Sequence, residues 1–152
     1  MLTAYVATNG TLNKIGVNQQ SDLPGDVLWL DIHNPTEQER QWIRQVYGQE
    51  LQFIEDLGEI EASERFYRDE QGLHLHLYFL LTGNEITRNV DVGFTVNNGR
   101  LYTLRSDDLP ELRSFYSQAA KNPKSCENAM AILTGIIAAR VGMMADTYER
   151  LE

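Results

Sequence analysis

Two Asn-Gly pairs, Asn9-Gly10 and Asn98-Gly99, constrain the fold of this 152-residue chain more than any other feature. Each pair lies between two runs that are rich in apolar and β-branched residues. Asn and Gly both adopt positive φ angles readily, and a two-residue primed turn between antiparallel strands requires such angles. The sequence therefore predicts two β-hairpins, whose strands are residues 2–8 with 11–17 and residues 90–97 with 100–105.

Further strands and helices are predicted between and after the hairpins. Residues 72–81 alternate leucine with histidine or tyrosine and then become wholly apolar, which is typical of a central strand. The run Asn34-Pro35-Thr36-Glu37 has the pattern of an N-cap, a proline at the first helical position and a capping-box acid. It predicts a helix that ends at Tyr47, before Gly48. The other predicted elements are a strand at residues 27–32 and helices at about residues 50–63, 108–123 and 125–152.

Strands mixed with helices, together with two direct hairpins, indicate the α/β (α+β) class. We expect a three-layer α/β/α sandwich with a mixed sheet containing β-hairpins, ending in a long C-terminal helix. Residues 1–152 are expected to form one domain. The composition, with 42% hydrophobic and 23% charged residues, is ordinary for a globular protein and excludes intrinsic disorder.

The predicted last helix carries two stripes of apolar residues. The first stripe consists of large residues three or four positions apart, as in a coiled-coil seam: Met130, Leu133, Ile137, Val141, Met144, Tyr148 and Leu151. The second consists of small residues, which allow another backbone to come close: Ala131, Gly135, Ala138, Gly142 and Ala145. Arg140 interrupts the apolar stretch, so we do not expect it to cross a bilayer by itself. Neither glycine nor proline follows Leu151, and the helix is expected to continue in a longer protein.

Negative charge is concentrated between Glu50 and Glu70. These 21 residues hold eight acids and two bases, a net charge of −6 out of −9 for the whole chain. On a helix, Glu55 and Glu59 are neighbours four residues apart, with Asp56 beside them, and like charges at this spacing repel. A hard cation relieves that repulsion, and Mg²⁺ prefers one or two carboxylates while it keeps several waters. The segment is either a cation site or a solvated acidic face.

Charge and motifs exclude several other functions. A net charge of −9 argues against a nucleic-acid partner, since phosphate binding needs basic patches. His74 and His76 share one strand face, yet the sequence offers no third metal ligand at a recognisable spacing, so packing and hydrogen bonding are the simpler interpretation. Nucleophile, phosphate-loop and dinucleotide motifs are absent from the sequence, which argues against an enzyme.

Several runs of the sequence resemble CorA magnesium/cobalt channels. They lie along nearly the whole chain and match the cytoplasmic domain of that family: Met1-Leu2-Thr3-Ala4, Trp29-Leu30-Asp31-Ile32, Ile60-Glu61-Ala62-Ser63-Glu64-Arg65-Phe66-Tyr67, Asp69-Glu70-Gln71-Gly72-Leu73-His74-Leu75-His76, Val96-Asn97-Asn98-Gly99-Arg100-Leu101-Tyr102-Thr103-Leu104-Arg105 and Ala145-Asp146.

The resemblance implies a cytoplasmic, cation-sensing domain of a homopentameric inner-membrane channel. The implied ion is Mg²⁺, with Co²⁺ as a second ion, and it is both the transported and the regulatory ion. It implies no organic cofactor and no nucleic-acid partner, and membrane contact only through helices that follow this segment. In the family, an acidic pair at the end of the second helix holds the regulatory metal between subunits. Here the corresponding run is Leu57-Gly58-Glu59-Ile60, so only Glu59 carries over, and Asp56 and Glu55 lie one turn back.

The resemblance leaves three alternatives open for the function. A related zinc transporter of the same superfamily shares the domain fold. A stand-alone soluble binding or oligomerisation module is the more distant alternative, and an enzyme is the weakest.

Overall fold

The computed structural model describes residues 1–57, 65–83 and 86–151, and all structural statements below concern these residues. Seven strands form one sheet in the order β2-β1-β3-β7-β6-β5-β4. Their bounds are Leu2–Thr8 (β1), Thr11–Val17 (β2), Trp29–His33 (β3), Phe66–Asp69 (β4), Gly72–Thr82 (β5), Thr87–Asn97 (β6) and Arg100–Arg105 (β7). The α-helices are Glu37–Tyr47 (α1), Ile54–Leu57 (α2), Pro110–Ala119 (α3) and Ala129–Leu151 (α4).

Both Asn-Gly hairpins are confirmed. Asn9 and Gly10 have φ angles of 53° and 79°, and Asn98 and Gly99 have φ angles of 51° and 75°. Two consecutive positive φ angles are the signature of a primed turn, whose twist matches that of the strands it joins. The strands β1, β2 and β7 have the bounds that the sequence predicts, whereas β6 begins three residues earlier, at Thr87.

The sheet is mixed because one neighbouring pair of strands, β3 and β7, is parallel while the other pairs are antiparallel. After β3 the chain enters α1, which packs on one face of the sheet through Ile43. After β7 it enters α3, which packs on the opposite face through Phe115. The helices therefore leave the parallel pair in opposite directions, and the predicted three-layer α/β/α arrangement is confirmed.

A network of buried polar groups joins β3 to β7. Asp31 accepts hydrogen bonds from Thr103 Oγ1 (2.7 Å) and from Arg105 Nη2 (2.8 Å), and both charged side chains are buried. The Trp29 indole Nε1 donates to Thr103 Oγ1 over 3.0 Å. Because the groups of this pair satisfy one another, the burial of two charges is compensated at this point of the core.

The first helix begins two residues later than predicted. Its N-cap is Thr36 rather than Asn34, with Thr36 Oγ1 accepting from Glu39 N (3.1 Å) and Glu39 Oε1 accepting from Thr36 N (3.0 Å). This reciprocal pair is a complete capping box. Asn34 instead adopts a left-handed φ of 44° and donates to Ser106 O after β7.

The second helix is the largest departure from the prediction. Helix was expected from about residue 50, yet α2 begins at Ile54. Arg40 Nη1 donates to the carbonyl oxygens of Leu51 (3.3 Å) and Gln52 (3.1 Å), which occupies acceptors that a helix would use internally. The buried Gln49 side chain also ties this segment to the turn between β4 and β5 and to β6. The predicted continuation over residues 58–63 lies outside the described residues.

Strand β4 was not predicted. It pairs antiparallel with β5 across a tight turn in which Asp69 Oδ1 accepts a hydrogen bond from Gln71 N (2.8 Å) and Gly72 has a φ of 116°. An Asp followed by a glycine three residues later is a recognisable turn pattern, so the sequence did contain a signal for this hairpin.

The last helix contacts the sheet through a face that is rotated from the predicted seam. Its buried large residues are Ile132, Leu133 and Ile136, whereas Met130 and Val141 are exposed. Ala129–Arg150 is long and apolar enough to cross a membrane by length and composition, which the sequence analysis did not expect. A helix whose first turns lie in a protein core satisfies the same two criteria, so this result by itself assigns no membrane span.

The small residues of α4 lie in two different environments. At Gly135, an added Cβ would lie 2.7 Å from Phe115 Cδ1 of α3, so the absence of a side chain lets the two helices approach each other. At Gly142, nothing lies within 4 Å of such a Cβ. Close packing within the domain therefore explains the glycine at position 135 and not the one at position 142.

Two buried histidines lie under α2. His74 Nε2 lies 2.7 Å from Asp69 Oδ1 and its Nδ1 lies 2.9 Å from Thr95 Oγ1. His76 Nδ1 has no hydrogen-bond partner in the described part of the chain. Burial, with smaller contributions from His74 and Arg65, lowers the pKa of His76 to about 4.

We predict opposite effects of alanine at the two glycines of α4. Gly135→Ala should lower the free energy of unfolding by about 1–3 kcal/mol, because its methyl group overlaps the Phe115 ring. Gly142→Ala is the matched control and should raise it by up to about 1 kcal/mol, because alanine is the better helix former. Urea unfolding followed by circular dichroism measures both. Equal effects at the two positions would contradict the packing assigned to Gly135.

We predict that His76 makes stability depend on acid pH. The folded protein keeps His76 neutral down to about pH 4, whereas in the unfolded chain it takes up a proton near its ordinary pKa of 6.5. Between these values the unfolded state binds more protons, so the free energy of unfolding falls as the pH falls. From pH 7 to pH 4.5 the contribution of this one group is about 2–3 kcal/mol.

The variant His76→Gln removes this titration. Its free energy of unfolding should therefore vary less with pH over the same range than that of the unchanged protein. Urea denaturation at several pH values gives the two slopes, and identical slopes would show that His76 titrates alike in both states.

Candidate functional site

The candidate cation site of the sequence analysis lies around α2. This single helical turn is held on the sheet by Leu57, which is fully buried and packs over Gly93 of β6. A Cβ at Gly93 would lie 3.4 Å from Leu57 Cδ2, so a larger residue there would press against this anchor. The buried side of α2 is therefore fixed, and its polar side faces solvent.

Glu55 and Asp56 are both exposed on the solvent side of α2. Glu55 lines an open cleft of about 270 Å³ together with Glu37 and Arg40 of α1. The Arg40 guanidinium interacts electrostatically with Glu55 and Glu37, although burial is the larger effect and lowers the pKa of Arg40. The charge of Glu55 is thus partly balanced within the protein.

Glu59, the first-ranked ligand candidate of the sequence analysis, lies outside the described residues. Within residues 1–57, 65–83 and 86–151, the structure brings together no group of three or more His, Cys, Asp or Glu side chains that could hold a metal ion. The exposed carboxylates of α2 match the kind of open, partly hydrated contact that Mg²⁺ accepts, rather than a closed cage.

The two histidines do not form a metal pair. The imidazole nitrogens of His74 are already taken by Asp69 and Thr95, and the ring stacks on Tyr67 with 4.7 Å between the centroids. His76 packs beside Gly93 beneath Leu57. Their role in packing and hydrogen bonding, which the sequence analysis preferred, agrees with these contacts.

Sequence reasoning missed the groups that place α2. Arg40 of α1 is hydrogen-bonded to the backbone of the segment before α2. Its guanidinium also lies over the exposed Phe53 ring, 4.4 Å from the centroid. Leu57 and Gly93 form the anchor described above. An arginine inside the apolar stripe of a predicted helix is the one sequence signal that could have pointed to this arrangement.

Comparisons with known proteins agree with the sequence resemblance. Residues 24–152 match the family model described as CorA-like Mg2+ transporter protein. The chain is 34% identical over 152 residues to the magnesium transport protein CorA of Yersinia pseudotuberculosis, a match that covers 99% of this chain and 48% of that protein. The chain thus spans about half the length of the curated relatives it matches.

Solved structures share the fold at low sequence identity. The complete CorA magnesium transporter of Methanocaldococcus jannaschii aligns with a TM-score of 0.70 and 18% identity over 99% of this chain and 47% of that one. The ZntB cytoplasmic domain of Vibrio parahaemolyticus aligns with a TM-score of 0.66 and 12% identity over 97% of this chain and 62% of that one. At these identities the structures support the fold, whereas the family model, which matches residues 24–152, establishes the family. The chain belongs to the CorA-like Mg²⁺ transporter family.

Proposed function

We propose that this chain is the cytoplasmic, cation-sensing domain of a CorA-type channel for Mg²⁺, with Co²⁺ as a second ion. The observation that carries the proposal is the 34% identity to a magnesium transport protein along the whole chain. In the full-length protein, residues 1–152 act as one regulatory domain on the cytoplasmic side of the inner membrane. Five copies assemble, and the conducting part belongs to the membrane helices.

The proposed sensor is the acidic side of α2 and the residues that follow it. Glu59 is the principal ligand, with Asp56 next and Glu55 in support, because Arg40 already balances part of the Glu55 charge. A Mg²⁺ ion needs only one or two of these carboxylates and completes its shell with water and with groups of a neighbouring subunit. Burial of Leu57 fixes the position from which Glu55 and Asp56 reach outward.

Regulation then follows from differential affinity. Bound Mg²⁺ neutralises carboxylates that face each other between subunits, and so favours the assembly in which they are close. When the cytosolic Mg²⁺ concentration falls, the bare carboxylates repel and that assembly loses its advantage. The cation shifts the equilibrium only by its preference for one of the two states.

A zinc transporter is the second candidate function. It is favoured by one observation, the shared fold with the ZntB cytoplasmic domain. The ligand chemistry favours Mg²⁺, because Zn²⁺ sites are usually built from histidine and cysteine, and His74 is already bonded while Cys126 is buried.

We predict that Mg²⁺ stabilises the chain through the acidic residues of this segment. At a free Mg²⁺ concentration of about ten times the dissociation constant, preferential binding contributes about 1.4 kcal/mol, which corresponds to a rise in melting temperature of roughly 3–5 °C. Glu59→Gln should remove most of the rise and Asp56→Asn part of it. Differential scanning fluorimetry with Mg²⁺, Co²⁺ and Zn²⁺ measures the effect and its selectivity.

The variant Glu127→Gln is the matched control, because it removes one negative charge as the other variants do. Glu127 is exposed and lies before α4, outside the acidic segment. It should keep the full Mg²⁺ effect. An equal loss in all variants would indicate unspecific screening of a protein with a charge of −9. Stabilisation by Zn²⁺ at concentrations where Mg²⁺ has no effect would favour the zinc transporter.

A further inference from the structure

A second cavity lies on the face of the sheet opposite to α2. It has a volume of about 510 Å³ and opens between the sheet and α3, with Tyr5, Lys14, Asp31, Arg105 and Tyr116 among its lining residues. Cavities of 300–1,000 Å³ are the usual size for small-molecule sites.

The position of this cavity is the one at which open α/β sheets commonly bind ligands. It lies at the carboxyl ends of the parallel strands β3 and β7. The chain leaves β3 for a helix on one face and leaves β7 for a helix on the other, which makes this a topological switch point. At such a point the two connections diverge and leave a crevice beyond the carboxyl ends of the strands.

The sheet becomes polar at the floor of the cavity. Along β3 and β7, the face toward α3 begins with the apolar pair Trp29 and Leu101 and continues with Asp31 beside Thr103 and with Arg105. Asp31 is 4% exposed and Arg105 is 8% exposed. The two charges satisfy each other, so the floor of the cavity is polar and its ion pair is already engaged.

The groups that remain free in the cavity are hydrogen-bond donors. Lys14 lies directly opposite Tyr5 in the β1–β2 pairing, so the two side chains share the face toward the cavity. Within the described residues, Lys14 forms no ion pair, and the hydroxyls of Tyr5 and Tyr116 form no hydrogen bond. Burial raises the pKa of Tyr5, which therefore keeps its hydroxyl proton. Arg105, in contrast, is fully engaged by Asp31 and by the carbonyl of Asp107.

The charge of the cavity is opposite to that of the protein. Its lining side chains include three permanent cations and two acids. Arg105 pairs with Asp31 and Arg113 pairs with Asp108, so the charge of Lys14 is left unbalanced, in a chain with 22 acids and 13 Lys and Arg residues. A local excess of cations in a recess attracts anions that the rest of the surface repels.

We propose that this cavity binds a small organic oxyanion, a carboxylate or phosphate on a body no larger than a mononucleotide. Lys14 supplies the charge-assisted contact, and the hydroxyls of Tyr5 and Tyr116 donate further hydrogen bonds. The cavity residues come from five separate elements, β1, β2, β3, β7 and α3, so no motif in the sequence indicated this site. The proposal is independent of the cation sensor, which lies on the opposite face.

The test is isothermal titration of the chain with AMP, citrate and inorganic phosphate, after a chelating resin has removed metal ions from the protein and the buffers, so that no metal carries the anion. At least one of them should bind saturably with a dissociation constant below about 1 mM. Lys14→Gln should weaken that binding at least tenfold, as expected for a hydrogen bond to a charged group, and Tyr116→Phe about threefold. Preference for AMP assigns a phosphate ligand, and preference for citrate assigns a carboxylate.

Lys124→Gln is the matched control, since Lys124 is also exposed but lies outside the cavity. It should change the affinity less than twofold. Absence of binding by all three anions up to about 10 mM would overturn the proposal, as would equal weakening by Lys14→Gln and Lys124→Gln. The Mg²⁺ effect on melting temperature should be the same in Lys14→Gln as in the unchanged chain. The two proposals are therefore tested separately: absence of anion binding would not contradict the cation sensor, and absence of a Mg²⁺ effect would not contradict the anion cavity.

Discussion

The parallel pairing of β3 and β7 is the constraint on which the rest of the structure depends. Asp31, Thr103 and Arg105 connect the two strands by side-chain hydrogen bonds, in addition to those of the backbone. These residues are 72 and 74 positions apart along the chain. After this pair of strands, α1 and α3 leave toward opposite faces, where they cover two separate cores. The acidic helix α2 therefore belongs to one face, and the oxyanion cavity to the other.

The attachment of α2 shows how a short segment can be positioned without a long helix. One turn contributes little stability of its own, because helix nucleation is costly. Leu57 packs into the space left by Gly93, and Arg40 bonds the carbonyls of Leu51 and Gln52. These contacts hold the backbone while Glu55 and Asp56 stay in water. Such an arrangement suits a weak cation contact, since hydrated carboxylates carry no large desolvation cost before the metal binds.

Prediction from the sequence was most accurate where local chemistry allows one conformation. Asn-Gly between two strand-forming runs has few alternatives to a primed turn, and the bounds of β1, β2 and β7 followed. It was wrong where two local signals compete. Asn34 and Thr36 are both good N-caps, and the choice fell to Thr36 because Glu39 lies three residues later and Ser106 binds Asn34. The start of α2 was misplaced because a guanidinium from another helix takes its carbonyls.

The sequence by itself determined the strands of the two hairpins, the long last helix, the three-layer class and the family, because all of these depend on local turn chemistry, periodicity or direct similarity. Only the tertiary structure decided which face of α4 is buried, why Gly135 has no side chain, and that Lys14, Tyr5 and Tyr116 line one cavity. These features depend on contacts between residues distant in the chain. Periodicity shows which residues share a face of one element, and it contains no information about which element packs against that face.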